Sequence, residues 1–156
     1  MKGQTAQIIG WREWISFPGL GIPAIKSKID TGARSSAIHT YMIEPFEKSG
    51  QEYVRFGVHP FKKRRDVEVI CEAPVLDKRI VTDSGGHSEL RYVVNTLVKI
   101  GEQSWPIEVT LASRETMLFR CLLGRTALEG KYIIDPVRSF VFGRNLRREY
   151  RDWNAA

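Results

Sequence analysis

The chain of 156 residues has the length of one domain and enough sequence for a single hydrophobic core. A hydrophobic share of 42% and a charged share of 27% exclude disorder, and no apolar run reaches the length of a membrane span. Twenty-four Lys and Arg against 18 Asp and Glu leave a formal charge of +6, which favours acidic partners (nucleic acid, acidic peptides or anionic lipid) without choosing among them.

In chain order, Met1 to Gln4 lead into a strand pattern and lack the apolar region of a signal peptide. Cys71 and Cys121 are too few for a disulfide framework, so a reducing cytoplasm is the expected location. Residues 4–17 read as a strand, 18–21 as a turn, and 22–30 as a strand ending in Asp30. Residues 37–43 read as the next strand, 45–51 as a turn, and 53–58 as another alternating strand. A basic loop over 60–66 is centred on Lys62-Lys63-Arg64-Arg65. Strands follow at 67–71 and 75–82, and 92–100 with 105–111 form a hairpin around Gly101-Glu102-Gln103. Residues 126–130 suit one short helix after Gly124-Arg125, stopped by Gly130. Short strands are expected at 132–135 and 139–142, before a basic tail, Arg144 to Trp153, that reads as helical and frayed. Many short strands with frequent turns predict an all-β protein, a small closed barrel or sandwich.

The chemistry concentrates at Asp30-Thr31-Gly32-Ala33. A strand end holds a side chain rigidly, Gly32 permits a sharp turn, and a carboxylate so placed can act as a general base on water. The bland alternative for Asp30 is a turn residue capping a strand. Further on, Leu122-Leu123-Gly124-Arg125 precedes Thr126-Ala127-Leu128, and Thr82-Asp83-Ser84-Gly85-Gly86-His87 is a glycine-rich tip between strands.

Taken together, these three elements resemble retropepsins, the half-size aspartic proteases that work as homodimers. More narrowly, IDTGARSSAIH from Ile29, DSGGHSELRY from Asp83, WPIEVTL from Trp105 and LLGRTALEGKYIIDP from Leu122 are similar to a bacterial family labelled "ATP-dependent zinc protease". The resemblance implies a single retropepsin-like domain over 1–156, with an insertion at 44–78 and a basic tail at 144–156. It implies catalytic Asp30, Thr31 and Gly32, and substrate contacts from Ala33, Arg34, Ser84, Gly85, Gly86 and His87. Gly124 and Arg125 become structural supports. Two like-charged carboxylates must share one proton in such a site, and only one Asp-Thr-Gly is present, so each of two subunits is expected to give one Asp30. Arg34 stands where viral relatives carry an acid, which leaves Arg125 needing another partner, such as Glu89, and lets Arg34 read substrate carboxylates.

No metal and no cofactor is expected. His39, His59 and His87 are scattered, His-Glu-x-x-His is absent, and Gly124 to Lys131 has the wrong spacing for a phosphate loop. Expected partners are a second copy and a peptide or protein substrate, with no membrane. The resemblance adds a link to an ATP-grasp ligase that extends protein C-termini with glutamate, and hence acidic tails as substrate. The alternative is a non-catalytic module of the same fold that binds acidic peptides, or RNA on the ribosome. The basic clusters are read first as solubility and not as a nucleic-acid site.

Overall fold

The structure, a computed structural model, describes residues 6–82, 85–113, 117–151 and 153. Its centre is a closed β-barrel, the expected all-β architecture. The strands are β1 (Gln7–Gly10), β2 (Arg12–Phe17), β3 (Ile22–Asp30), β4 (Ser36–His39), β5 (Met42–Lys48), β6 (Gln51–Val58), β7 (Val69–Pro74), β8 (Asp77–Thr82), β9 (Ser88–Ile100), β10 (Gln103–Ala112), β11 (Cys121–Gly124) and β12 (Tyr132–Asp135). One short helix, α1 (Arg125–Leu128), follows Gly124, as its sequence position predicts.

The main sheet runs β10-β4-β11-β3-β2-β9-β8, and a further β10–β9 pairing closes it. Two parallel pairings, β11 on β3 and β4 on β10, interrupt the otherwise antiparallel order. The first of them sets Gly124, distant in sequence, directly beside Asp30. Strand β9 is long enough to serve three neighbours: β8 through its first half, β10 through its second, and β2 where Ser16 stands opposite Lys99. The barrel is filled by branched aliphatic and aromatic side chains that alternate inward, including Ile15, Phe17, Ile25, Ile38, Val94, Val109 and Leu123.

Residues 42–74, most of the stretch read as an insertion, form a separate antiparallel sheet, β5-β6-β7. Val54, Phe56, Val58 and Cys71 on its inner face join the same core as the barrel. The chain leaves β4 for β5 at Thr40-Tyr41, where Thr40 N–H donates to Ala112 O and Tyr41 N–H to Gly57 O. A single strand over 37–43 is therefore two strands in two sheets.

Three other expectations are corrected. Residues 45–51 are not a turn: Pro45 lies within β5 opposite Val54, and the turn is confined to Ser49-Gly50, both at positive φ. Because β5 is the edge of its sheet, a residue without an N–H is tolerated there. Residues 139–142 are not a strand. Their amides meet a side chain instead, since Val141 N–H and Phe142 N–H donate to the carboxyl of Glu13 at 3.0 and 3.2 Å. Gly10 N–H donates to the same group at 2.7 Å, so a fully buried carboxyl of β2 stands in for a missing strand partner. The tail is not frayed over its first turns. Asn145–Tyr150 form a 3-10 helix, and Tyr150, 2% exposed, takes Ala24 N–H and donates its hydroxyl to Ala24 O.

Candidate active site

Asp30 is the last residue of β3, whose alternate residues Ile25, Ser27 and Ile29 are buried while Lys28 is exposed. The loop that follows is a tight turn, with Ala33 N–H donating to Asp30 O at 3.1 Å. Gly32 N–H donates to Asp30 Oδ1 at 3.2 Å, so the carboxyl is oriented by the amide of its own loop. Thr31 and Gly32 are exposed and Ala33 half-buried beside it.

The second signature braces this loop from behind. In the parallel ladder Leu123 stands against Ile29 and Gly124 against Asp30. Arg125 N–H then donates to Ala33 O at 2.8 Å, and Thr126 N–H and Oγ1 to Arg34 O at 3.3 and 2.7 Å. A Cβ on Gly124 would stand 2.5 Å from Ser35 O and 2.7 Å from Arg34 O, both rigid backbone, so the crossing admits no side chain. The Arg125 guanidinium donates to Thr31 O at 3.4 Å. Glu89, the partner nominated from sequence, is engaged elsewhere: Arg91 Nε donates to it at 3.1 Å, and Ser113 N–H and Oγ at 3.0 and 2.5 Å. Burial pushes the Glu89 carboxyl up, but the Ser113 bonds and Arg91 outweigh it and hold the group below its ordinary value.

Strands β8 and β9 form the hairpin of the glycine-rich tip, in register down to Thr82 opposite Ser88. Gly85, Gly86 and His87 are exposed at its end, with Gly86 at φ 83°, while Ser84 lies outside the described residues. Glu89, one pair from the tip opposite Val81, is tied through Ser113 to the segment after β10.

Asp30 opens into a small concavity of about 220 Å³ with Lys28, Met117, Leu118, Phe119 and Leu122. Sequence reasoning missed the segment Met117–Phe119; its signal was a short apolar run separated from the Leu-Leu-Gly-Arg element only by Arg120 and Cys121. Arg34 is exposed and lines a different concavity of about 740 Å³, with Arg79, Trp105 and Glu108. Within one copy the structure therefore does not bring Arg34 and Asp30 to a common cavity. The described residues hold no group of three or more His, Cys, Asp or Glu able to bind a metal. His59 lies near Val67 O at 3.3 Å and stacks on Tyr41, and His39 accepts from Arg120 at 2.8 Å. None of the described helices is long and apolar enough to cross a membrane.

Comparison with known proteins agrees with this geometry. A family model described as "RimB-like: Retropepsin-like aspartic endopeptidase RimB" matches residues 8–145. The chain is 48% identical over 137 residues to a "Probable alpha-L-glutamate ligase" of Desulfotalea psychrophila, and 44% identical over 136 residues to one of Shewanella pealeana. These matches cover 88% and 87% of this chain but 30% of each relative, so the chain spans under a third of the curated relatives' length. A crystal structure of a Legionella pneumophila protein of unknown function (DUF785) superposes with a TM-score of 0.72 at 28% identity, covering 88% of this chain and 99% of that one.

Proposed function

Since the chain belongs to the RimB-like family of retropepsin-like aspartic endopeptidases, we propose that it is a cytoplasmic aspartic peptidase whose site forms between two copies, each giving one Asp30. The observation that carries this reading is the placement of Asp30: a strand end, level with Gly124, with Gly32 N–H on Oδ1. Two such carboxyls brought together hold one proton between them, because adjacent like charges resist joint ionisation. The ionised member takes a proton from water and the protonated member polarises the scissile carbonyl. Thr31 and Gly32 shape the loop that aims the acid. Ala33 and Arg34, with Ser84 to His87 of the hairpin, contact the bound peptide, and Gly124 and Arg125 keep the loop in place.

The substrate we favour is an acidic, glutamate-rich protein tail. Supporting this are the +6 charge and the match to a part of proteins named glutamate ligases. That same match favours a second reading, in which the domain holds an acidic peptide for a ligase without cleaving it. Sedimentation of the purified protein together with assay of Asp30→Asn separates the two. A dimer that cleaves acidic peptides, with cleavage lost in Asp30→Asn and the fold kept, supports the peptidase. A strict monomer, or a variant that cleaves at the wild-type rate, eliminates it.

A further inference from the structure

A second groove, of about 620 Å³, lies on the outside of β2 and β3. Arg12, Lys26, Lys62, Lys63 and Arg147 line it, and none of its described lining residues is an aspartate or glutamate. Several cations are held in place by aromatic faces. The Arg12 guanidinium lies 4.6 Å over Trp11 and 4.9 Å over Phe140, and its Nε donates to Ser139 Oγ at 3.2 Å. The Lys26 ammonium sits 6.0 Å from the ring centre of Phe119. Burial, then the nearby charges of Arg12 and Arg144, depresses the Lys26 pKa, as expected of a cation set among cations.

This groove is continuous with the site of Asp30. Leu118 and Phe119 line both, and Trp11 packs edge-on against Phe119 with ring centres 6.0 Å apart. Strand β3 makes the connection as well. Lys26, Lys28 and Asp30 are alternate residues and so project from one face, a row about 13 Å long at ~3.3 Å per residue. An extended peptide laid along that row with a bond at Asp30 has the residue about four positions away beside Lys26.

We propose that this groove binds the acidic segment of an extended polypeptide and sets it about four to six residues to one side of the bond presented to Asp30. The binding claim stands on the groove; the spacing claim rests on the peptidase reading of Asp30. An acidic peptide suits the groove better than single-stranded nucleic acid. Base stacking needs open aromatic faces. Here Trp11 is capped by Arg12, and Phe61 packs edge-on against Tyr150 at 5.1 Å and tilted against Trp14 at 5.9 Å. What the groove offers is positioned charge, which carboxylates match.

The test uses full-length Asp30→Asn protein, so that binding is read without cleavage. Fluorescence anisotropy compares a labelled hexaglutamate peptide, its glutamine counterpart and a single-stranded RNA of similar length. The glutamate peptide binds at least about tenfold tighter than the glutamine one, and raised salt weakens it. Adding Lys62→Glu and Lys63→Glu, both on the exposed loop, or Lys26→Gln, removes about tenfold of that affinity, with circular dichroism unchanged. Equal binding of the two peptides, or no effect of the Lys62 and Lys63 changes, overturns the proposal, and tighter binding of RNA reassigns the groove and overturns it too. With wild-type protein, substrates whose glutamates lie about four to six residues from the cleaved bond are turned over fastest. Binding that responds to Lys62 and Lys63 without any cleavage leaves the groove standing and removes the peptidase. Cleavage indifferent to both lysines does the reverse.

Discussion

Gly124 stands directly across from Asp30 in the parallel pairing of β11 on β3, while its amide donates sideways to Ser36 Oγ at 3.1 Å. The loop of the acid and the start of α1 thus cross at a point where only hydrogen fits. Gly124→Ala forces the Ser35 and Arg34 carbonyls aside, and overpacking of this kind costs about 1–3 kcal/mol. For a domain of this size, the melting temperature falls by about 2–4 °C per kcal/mol. Calorimetry measures the loss; under the proposed function activity falls with it, because the displaced carbonyls belong to the loop that holds Asp30. An unchanged melting temperature would remove the close-crossing argument.

Glu13 is the next most exacting position. Glu13→Ala strands three backbone amides, those of Gly10, Val141 and Phe142, each at a cost of about 1–3 kcal/mol when buried. Glu13→Gln retains one carbonyl acceptor and loses less. Urea unfolding of both variants should therefore rank them wild type, then Gln, then Ala. Equal stabilities for all three would show that water replaces the carboxyl at no cost.

The pH dependence of stability follows from Glu89. Its folded carboxyl is held below the ordinary 4.5 by Ser113 and Arg91 against the opposing effect of burial. A depressed carboxyl adds stability that is complete above the unfolded value and is lost as pH falls through the folded one. Wild-type stability accordingly declines below about pH 4.5, and Glu89→Gln shows a flatter decline over the same range. Denaturant midpoints between neutral pH and pH 3 check this. Parallel curves for the two proteins would mean that other carboxyls govern the acid limb.

Both cysteines are predicted to be inert in the native state. Burial pushes the thiols of Cys71 and Cys121 up to about 12, so neither is a thiolate at neutral pH. Ellman's reagent should report two thiols in denaturant and almost none without it. Rapid native labelling of Cys121 would mean that β11 opens readily.

The local devices of the site were legible in the sequence, and its long-range ones were not. A strand running into Asp-Thr-Gly, and Leu-Leu-Gly-Arg before a short helix, are contiguous, and each motif carries its own backbone requirement. Glu13 shows the opposite case. It looks like any polar residue of an alternating strand, and its role depends on amides 128 and 129 positions away. Pro45 reads as a turn residue in sequence, because its tolerance in a strand rests on β5 being an edge, a property of the whole sheet. Arg125 and Glu89 were paired by charge alone, whereas Arg91, two residues from Glu89 on the same strand, reaches it more directly. The groove of Arg12, Lys26 and Lys62 draws on β2, β3 and the loop after β6, and no linear window contains it.

The wide separation of those contacts also orders events in time. Thr31 and the guanidinium that braces it are 94 positions apart, and Ala24 and its tyrosine clamp are 126 apart. Synthesis at roughly 5–20 residues per second places on the order of 5–20 s between the emergence of Asp30 and that of Arg125. Throughout that interval a nascent chain carries the acid without the strand and helix that shape its loop. The loop reaches its braced form only after residues 121–126 have left the exit tunnel.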